Sequence, residues 1–338
     1  MITENLFDKV LIAPVKNGAD SLYVVSGYAT AAMTFHHFDS LKKEHGKQIK
    51  INLIVGMCPY DGLSLSNHMA FQQLASIDFP DHFKCSYIVN APQVHSKAYA
   101  WFQGEKPVSG FIGSANYTQN AFSKSQRELL ISCDPNLGLA YFNSLISESV
   151  YCTHNEIESY IQICRDAYYC RRKTEQLENQ DIKLNISDKS DKYDLQDIRP
   201  IRVSLLDRRG EVQNTAGLNW GFRRDGTRRN KNEAYIQLGP EVYRSHFFPK
   251  RTIHFTVLTD DNKVLICTRA QKDEHGHAIE TPHNNSLIGE YFRNRLGLPN
   301  GAFVTKDHLL RYGRTDVDFF KIDDETYFMD FSVSSNLG

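Results

Sequence analysis

The chain has 338 residues, 41% of them hydrophobic, which is enough for the packed cores of two domains of ordinary size. Its formal net charge of −1 excludes a protein that is basic throughout, so any surface for nucleic acid has to be local. The seven cysteines are an odd number and form no CxxC motif, which argues against a disulfide framework or a thiolate zinc site and favours a reducing, cytoplasmic location.

The sequence predicts no contact with a membrane. Its first ten residues, MITENLFDKV, lack the basic-then-apolar pattern of a signal peptide. No apolar run approaches the roughly 18 residues that a membrane-spanning helix needs. These features count against a membrane-embedded lipid enzyme, although they do not exclude a soluble one.

Predicted strands and helices alternate in the first half of the chain. The order is a strand over Ser21–Gly27, a helix ending at Gly46, a strand over Ile49–Met57, a helix over Ser64–Ser76 and a strand over Phe83–Val89. Several strands then follow closely, and this pattern predicts an α/β sheet covered by helices. Apolar residues at helical spacing also predict helices through residues 137–169.

Polar residues with catalytic potential cluster between residues 94 and 131. His95 and Lys97 stand two apart in an apolar run, a spacing that places both side chains on one face of a strand. A second apolar run ends in the sequence GSAN, where Ser114 and Asn116 share a face if the strand extends that far. A third apolar run carries Glu128.

These residue types suit phosphoryl transfer without a metal ion. The imidazole attacks phosphorus, the ammonium and the amide neutralise charge on the non-bridging oxygens, and the carboxylate orients the imidazole. The HxK spacing is not specific by itself, because it occurs three times in a chain with 13 histidines. From spacing alone, a hydrogen-bonded core histidine and a lysine at a strand edge remain the alternative. The three matches are His45/Lys47, His82/Lys84 and His95/Lys97.

The succession of HSK, GSAN and a following glutamate resembles the phospholipase D superfamily over roughly Leu22 to Ile131. The chain departs from that pattern in two ways. Phe102 occupies the position of the usual aspartate after the lysine, and there is one complete motif instead of two. Both departures match a smaller branch, the metal-independent restriction endonucleases of the BfiI and NgoFVII kind, in which a second copy in a homodimer completes the site.

The resemblance implies a type II endonuclease that cuts double-stranded DNA beside its recognition sequence without a cofactor. It implies that His95 of one subunit forms a covalent phosphohistidine, and that His95 of the other subunit protonates the leaving oxygen. Lys97, Asn116 and Ser114 are expected to hold the phosphate. Glu128 is expected to support the imidazole in place of the missing aspartate.

A change of composition divides the chain. Residues 173–198 are dominated by charges and amides and predict a linker between domains over residues 1–172 and 199–338. The second domain reads as short strands separated by turns, an all-β pattern typical of a barrel, with helices near 241–247 and 286–296. The predicted strands are IRVSLLD, EAYIQLG, TIHFTVLTDD, KVLICTRA, AFVTKDHLL, VDFFKID and TYFMDFSV.

Two polar loops of this second domain are candidates for contact with DNA. The segment over residues 222–232 holds five basic residues against one acid, and arginine forks bind phosphates or the acceptor pair of guanine. A solvated arginine-rich loop is the alternative. The second loop follows Thr268, and its HxH pair lacks a further ligand at fixed spacing, so no metal site is predicted. The candidate DNA-binding residues are Trp220, Arg223, Arg224, Arg228, Arg229, Lys231, Asn232, Gln271, Lys272 and Asn284.

Two loops at one end of a β-barrel resemble the B3-like DNA-binding domain that NgoFVII-type enzymes carry at the carboxyl terminus. The implied architecture is an α/β phospholipase D-like sandwich, a mixed sheet covered by helices, followed by a mostly-β B3-like pseudobarrel. Two alternatives stay open. One is a phospholipase or phosphatidyl transferase, which does not need the arginine loop. The other is a DNA-binding regulator with an inactive nuclease domain, against which the complete catalytic set argues.

Overall fold

The protein is described by a computed structural model that covers residues 1–123, 126–165, 195, 198–270 and 276–333. The chain divides into two compact units, Met1–Arg165 and Asp166–Gly338. Within the described residues, each unit contains its own seven-stranded sheet. The predicted linker over residues 173–198 lies almost entirely outside the described residues.

The first unit is organised around a mixed sheet. Parallel strands form its centre, and antiparallel strands flank them on both sides, in the order β7-β6-β5-β1-β2-β4-β8. A further short pair, β3 with β9, is parallel. The strands are β1 (Ser21–Ser26), β2 (Lys50–Val55), β3 (Leu63–Ser64), β4 (Phe83–Ile88), β5 (Ala98–Gln103), β6 (Lys106–Gly113), β7 (Leu130–Cys133), β8 (Ser149–Tyr151) and β9 (Ile163–Cys164).

The helices of the first unit begin and end at residues suited to those positions. The longest, α2, starts where the Thr30 side chain accepts a hydrogen bond from the backbone of Met33. It ends at Gly46, which adopts the left-handed conformation, as the sequence predicts. The helices are α1 (Ala13–Lys16), α2 (Ala31–His45), α3 (Cys58–Asp61), α4 (Leu65–Gln73), α5 (Gln119–Phe122) and α6 (Pro135–Ile146), with π-helical turns at Phe7–Ile12 and Leu74–Asp78 and a 3₁₀ turn at Ile157–Ser159.

Both faces of this sheet are covered. Alternate residues of β5 point to opposite faces: Ala98 packs with Phe142 of α6, whereas Trp101 donates a hydrogen bond to the backbone carbonyl of Val10. Helix α6 contacts β1, β5 and β6. The expectation of an α/β sheet covered by helices is therefore confirmed.

Two local expectations for this unit are wrong. The helical prediction for residues 137–169 holds only as far as Ile146, since strand β8, the 3₁₀ turn and strand β9 follow. Isolated apolar residues at helical spacing are equally compatible with short strands and turns. In addition, strand β5 begins at Ala98, so His95 and Lys97 precede the strand instead of lying on it.

The second unit also contains a mixed sheet, in the order β10-β15-β16-β12-β13-β14-β11. All neighbouring pairs are antiparallel except β12 with β16. The two edge strands, β10 and β11, line the same cleft, so the sheet curls towards itself as a barrel-like sheet. The strands are β10 (Ile201–Ser204), β11 (Ile236–Gln237), β12 (His254–Thr259), β13 (Val264–Ala270), β14 (Ala278–Glu280), β15 (Asp316–Lys321) and β16 (Thr326–Asp330).

Three helices complete the second unit within the described residues: α7 (Pro240–Arg244), α8 (Ser286–Arg295) and α9 (Lys306–Tyr312). The curled sheet and α8 enclose an apolar core that includes Phe255 and Phe292. The prediction of a strand over AFVTKDHLL is wrong, because α9 begins there. Thr305 and His308 form a reciprocal capping box, and Gly313 ends the helix in the left-handed conformation.

Candidate active site and DNA-binding loop

The five predicted catalytic residues meet at one end of the first sheet. Because β1 and β6 run antiparallel to β5 and β7, the carboxyl ends of the first pair lie beside the amino ends of the second. His95 and Lys97 precede β5, Glu128 precedes β7, and Ser114 and Asn116 follow β6. The fold therefore brings an imidazole, an ammonium, a hydroxyl, a carboxamide and a carboxylate to the same end of the sheet.

Lys97 and His95 are in direct contact. Lys97 Nζ lies 3.2 Å from His95 Nε2 and donates to the backbone carbonyl of His95 at 2.6 Å. Lys97 is only 6% exposed, whereas the imidazole is exposed to solvent. Burial lowers the pKa of the Lys97 ammonium below its usual range, and the carboxylate of Glu128 acts in the opposite direction. A cation is thus held beneath an accessible imidazole.

The carboxamide of Asn116 is fixed by the end of β1. Its Oδ1 accepts a hydrogen bond from the backbone N–H of Tyr28 at 3.1 Å, and the hydroxyl of Ser26 lies 3.4 Å from the same oxygen. Ser26 Oγ also accepts from the backbone N–H of Tyr117 at 2.9 Å. Since Oδ1 is occupied, the amino group of Asn116 is the part of the side chain that is left to donate to a ligand.

Ser114 and Glu128 form a second pair. Ser114 Oγ donates to Glu128 Oε2 and accepts from the backbone N–H of Leu129 at 3.0 Å. Within the described residues, Glu128 is hydrogen-bonded to Ser114 and not to His95, and support of the imidazole by this carboxylate stays a prediction. Strand β6 ends at Gly113, and Ser114 and Asn116 then turn to different partners instead of sharing a strand face.

Gly113 lets two neighbouring segments of the chain approach each other closely. A Cβ atom at this position would lie 2.2 Å from the carbonyl oxygen of Leu129, so only glycine lets the two chains approach this closely. The small residues of GSAN therefore bring Glu128 beside Ser114.

Sequence reasoning missed the supporting residues at the end of β1. Ser26 and Tyr28 contact Asn116, and the ring of Tyr28 also meets the imidazole of His95. The available pattern was SGY at the carboxyl end of a buried strand, the end at which the strands of such sheets often carry functional residues. The pattern is short and names no chemistry, which is why it did not stand out.

The described part of the chain contains no group of three or more His, Cys, Asp or Glu side chains arranged to hold a metal ion. No helix among the described residues is long and apolar enough to cross a bilayer.

The arginine-rich segment of the second unit forms a compact loop with two stacked arginines. The guanidinium of Arg229 lies 4.4 Å from the ring centroid of Trp220, and that of Arg228 lies 4.6 Å from the ring centroid of Phe222. Both rings are anchored in turn, Trp220 against Tyr235 and Phe222 against Phe303. Cation–π contact holds each planar guanidinium in place while its N–H edge stays available.

The tip of this loop is a tight turn. Asp225 Oδ1 accepts from the backbone N–H and the hydroxyl of Thr227, at 3.0 and 2.6 Å. Arg223 and Arg224 on the turn are exposed, as is Lys231 beyond it. In the described residues, none of the five basic side chains of the loop forms an ion pair with a carboxylate. Among the described residues, Asp225 is the one acid of the loop and interacts with Arg223, so the loop keeps an excess of positive charge.

The remaining candidate DNA contacts separate into different groups. Asn232 does not fit the predicted role, because it is 7% exposed and both ends of its carboxamide are engaged, with Asn300 and with the backbone of Gly301. It holds the base of the loop. Asn284 is exposed and lies near that base, since the next residue accepts a hydrogen bond from the backbone of Ala234.

Gln271 and Lys272 lie outside the described residues. The expectation that they share one loop with Asn284 is wrong, because strand β14 separates them. They connect to the end of β13, where Ala270 pairs with Ala278, whereas Asn284 follows the opposite end of β14. Asn284 therefore lies at the same end of the sheet as the arginine loop, which precedes β11.

A cleft between the two edge strands adds residues that sequence reasoning missed. Its volume is about 690 Å³, and Arg208 and Arg209 contribute to its wall. Both arginines are exposed and lie in a turn closed by Asp207 and Glu211. In the sequence, Asp207 and Glu211 flank these two arginines, so the segment has no net positive charge that would have drawn attention to it.

The class of protein follows from these two units. The first matches the family description "NgoFVII restriction endonuclease N-terminal PLD domain" over residues 4–159, and the second matches "NgoFVII C-terminal B3-like DNA-binding domain" over residues 193–323. The protein thus joins a phospholipase D-like nuclease domain to a B3-like DNA-binding domain. Since the two matches cover more than four fifths of its length, the chain belongs to the NgoFVII restriction endonuclease family.

Solved structures give weaker likenesses, and curated proteins give none. NucT from Helicobacter pylori is 19% identical, with a TM-score of 0.30 over 42% of this chain and 87% of its own. Polyphosphate kinase from Porphyromonas gingivalis is 16% identical, with a TM-score of 0.28 over 51% of this chain and 26% of its own. No curated protein matches the chain.

Proposed function

We propose that the protein is a site-specific, type II endonuclease that cuts double-stranded DNA through a covalent phosphohistidine on His95, without a metal ion. The observation that carries the proposal is the contact of Lys97 Nζ with His95 Nε2 at 3.2 Å, at the sheet end where Asn116 is also fixed. A nucleophile, a cation and an oriented amide donor are what phosphoryl transfer through a protein side chain needs.

The reaction has two steps. In the first, His95 Nε2 of one subunit attacks the scissile phosphorus, a phosphorus–nitrogen bond forms, and the phosphorus–oxygen bond to the leaving strand breaks. The leaving oxygen takes a proton from the imidazolium of His95 in the second subunit. In the second step, that imidazole accepts a proton from a water molecule, whose oxygen replaces His95 on phosphorus. One strand end then carries a phosphate and the other a hydroxyl.

Lys97 has to change partner during the first step. In the free protein its ammonium contacts the same nitrogen that carries the attacking lone pair. A non-bridging phosphate oxygen is a stronger acceptor for a charged donor than a neutral imidazole, so DNA binding transfers the Lys97 hydrogen bond to the phosphate and releases the lone pair. Asn116 donates to a second phosphate oxygen from its amino group, and Ser114 assists once its hydroxyl leaves Glu128.

The requirement for a second subunit is supported by the surface beside the site. One chain supplies a single HxK motif, whereas the two-step reaction needs both a nucleophile and an acid. Ile112 and Ile131 are cross-strand neighbours at this end of the sheet, and 41% and 42% of their surfaces are exposed. Leu129, directly before β7, and Tyr141, which contacts Ser96 beside His95, are further exposed apolar residues in this region. A patch of this kind on the last strand of a sheet favours burial against a second copy.

Choice of the cutting site is assigned to the B3-like domain and its arginine loop. Its excess of positive charge suits the phosphates of a duplex, and arginine forks suit the acceptor edge of guanine. Because cutting and recognition reside in different domains, cleavage is expected outside the recognised sequence. The protein is expected to act in the cytoplasm, where it meets DNA.

The deciding experiment incubates the purified protein with plasmid DNA in EDTA and maps the ends. Discrete fragments with ends at a fixed distance from a common sequence support the proposal. The covalent intermediate is tested by quenching the reaction in a denaturant without acid. A covalent DNA–protein adduct is expected with the wild-type protein and none with His95→Ala. An absolute requirement for magnesium would overturn the metal-independent mechanism. Hydrolysis of phosphatidylcholine vesicles with no cutting of DNA would assign the protein to the lipid-acting branch.

A further inference from the structure

Tyr28 touches two of the residues assigned to phosphoryl transfer. Its backbone N–H donates to Asn116 Oδ1 at 3.1 Å. Its ring meets the imidazole of His95 edge to face, with the ring centroids 6.2 Å apart and an interplanar angle of 83°. Tyr28, the second residue after β1, therefore contacts the nucleophile through its side chain and the amide donor through its backbone.

The Tyr28 side chain is held in place by a hydrogen bond to a buried carboxylate. Its hydroxyl donates to Asp61 Oδ2, and Asp61, the last residue of α3, is only 5% exposed. The backbone N–H of Asp61 donates to the carbonyl of Met57 at 3.0 Å, which fixes the carboxylate relative to the end of β2. Burial, together with the hydrogen bond to Asp61, raises the pKa of the Tyr28 phenol, so the phenol keeps its proton and remains a donor.

The residue before Tyr28 leaves the imidazole room to pack. A Cβ atom at Gly27 would lie 3.2 Å from His95 Cδ2, which is closer than ordinary contact, and 3.4 Å from Met57 Cγ. The imidazole therefore packs directly on the end of β1, with the Tyr28 ring beside it. These contacts restrict the rotation of a side chain whose outer surface is exposed.

We propose that Tyr28, anchored by Asp61, is a positioning residue that holds the His95 imidazole in a fixed orientation relative to the Asn116 amide. This inference rests on the proposed function. A nucleophile held at the correct angle reacts faster than one that rotates freely, and a misplacement of about 1 Å costs as much as 10²-fold in rate. Tyr28 and Asp61 do not touch the phosphate themselves, so their effect falls on the rate and not on DNA affinity.

Four variants of the full-length protein separate the ring from its anchor. Tyr28→Leu removes the ring, and we expect the single-turnover rate of plasmid cleavage to fall by about 10²-fold. Tyr28→Phe and Asp61→Ala keep the ring but release it, and a fall of about tenfold is expected. Asp61→Asn keeps an oxygen that accepts from the Tyr28 hydroxyl, so its rate should stay close to that of the wild type.

DNA affinity and thermal stability are measured on the same preparations. The proposal requires an unchanged Kd for plasmid fragments alongside the lower rate, a division that simple loss of structure would not produce. Tyr151→Phe is the matched control, because Tyr151 is half exposed on β8, away from the catalytic end of β5. If Tyr28→Leu fails to fold, the cleavage rates of Asp61→Asn and Asp61→Ala test the proposal instead. A rate about tenfold higher for Asp61→Asn supports the positioning role, and equal rates contradict it.

Wild-type rates in Tyr28→Phe and Tyr28→Leu would overturn the positioning role, as would a loss of rate that follows the loss of DNA binding. His95→Ala distinguishes failure of the proposed function from failure of the proposed role of Tyr28. If His95→Ala still cleaves, the proposed function itself fails. If His95→Ala is inactive while both Tyr28 variants cleave at full rate, only the role of Tyr28 is wrong.

Discussion

Positive charge is held in two different ways in the two units. Lys97 is buried at the end of a sheet and fixed by contacts to His95, whereas the arginine loop lies on the surface and its arginines stack on aromatic rings of the same loop. A buried ammonium is oriented by the fold and has a lowered pKa, while a guanidinium group is a planar cation with five N–H donors. Under the proposed function, the buried cation acts at a single phosphate and the exposed cations contact the duplex.

The largest effect is expected at the buried site. His95→Ala removes the nucleophile, and the rate of DNA cleavage should fall by roughly 10⁴-fold or more, because the groups of such a site act as a unit. Specific DNA binding, measured by gel shift, should survive since the arginine loop is untouched. Nicking by the variant at a comparable rate would show that the nucleophile is misassigned.

Removal of residues 199–338 separates the two kinds of charge. We expect the remaining nuclease domain to stay folded and dimeric, because residues 1–165 form a compact unit with their own sheet. Affinity for the recognised sequence should fall by about 10³-fold or more, towards that of non-specific binding. Size-exclusion chromatography and mapping of cut ends provide the measurement. Cutting at the same positions as the full chain would remove the recognition role from the second domain.

The arginine loop itself should contain two classes of cation. Arg229→Lys loses the planar contact with Trp220, and we expect specific affinity to fall by about tenfold, with weaker discrimination between sequences. Arg224→Gln is the matched comparison, since Arg224 is exposed at the turn. It should weaken binding to all sequences alike and reduce the salt dependence, the slope of log K against log salt, by about 1. Equal behaviour of the two variants would contradict the division.

The smallest effect concerns the pH dependence of cleavage. Lys97 acts as an ammonium, so the rate falls as rising pH removes its proton, and burial moves this loss below the pH at which an ordinary lysine titrates. Glu128 raises the pKa of Lys97. Glu128→Gln removes that charge, lowers the pKa of Lys97 further and should move the alkaline limb of the rate profile to lower pH, by about one unit or less.

Glu105→Gln is the control for this profile, because Glu105 is exposed in the turn between β5 and β6, at the opposite end of those strands. Its alkaline limb should coincide with that of the wild type. A shift of the Glu128→Gln limb to higher pH would show that Lys97 is not the group that titrates.

Much of the fold could be read from regular patterns. The β-branched run of β2 and the amphipathic helix α2 with its terminal glycine are specified locally, and both occur within one or two residues of their predicted limits. Strand β9 and helix α9 were predicted as a helix and a strand, because each is short and its apolar spacing fits either structure. In such segments, capping residues and neighbouring strands determine whether the chain forms a helix or a strand.

The candidate site likewise has a part that the sequence predicted and a part that it did not. The resemblance to a known branch identified His95, Lys97, Ser114, Asn116 and Glu128, and all five meet at one sheet end. Their pairing could not be predicted. Asn116 turns to Tyr28 and Ser114 turns to Glu128 because β6 stops at Gly113, where the chain of Leu129 crosses too closely for any other residue.

The sequence by itself determined the two-domain order, the set of reactive side chains and the local excess of positive charge, since each is a property of neighbouring residues. Tertiary structure alone decided which groups touch. It brought Tyr28 to His95 and Asp61 to Tyr28, buried Asn232 beneath the loop it was expected to serve, and placed strand β14 within the segment predicted as one polar loop. The physical reason is that contacts across a sheet depend on strand order and direction, which no run of adjacent residues contains.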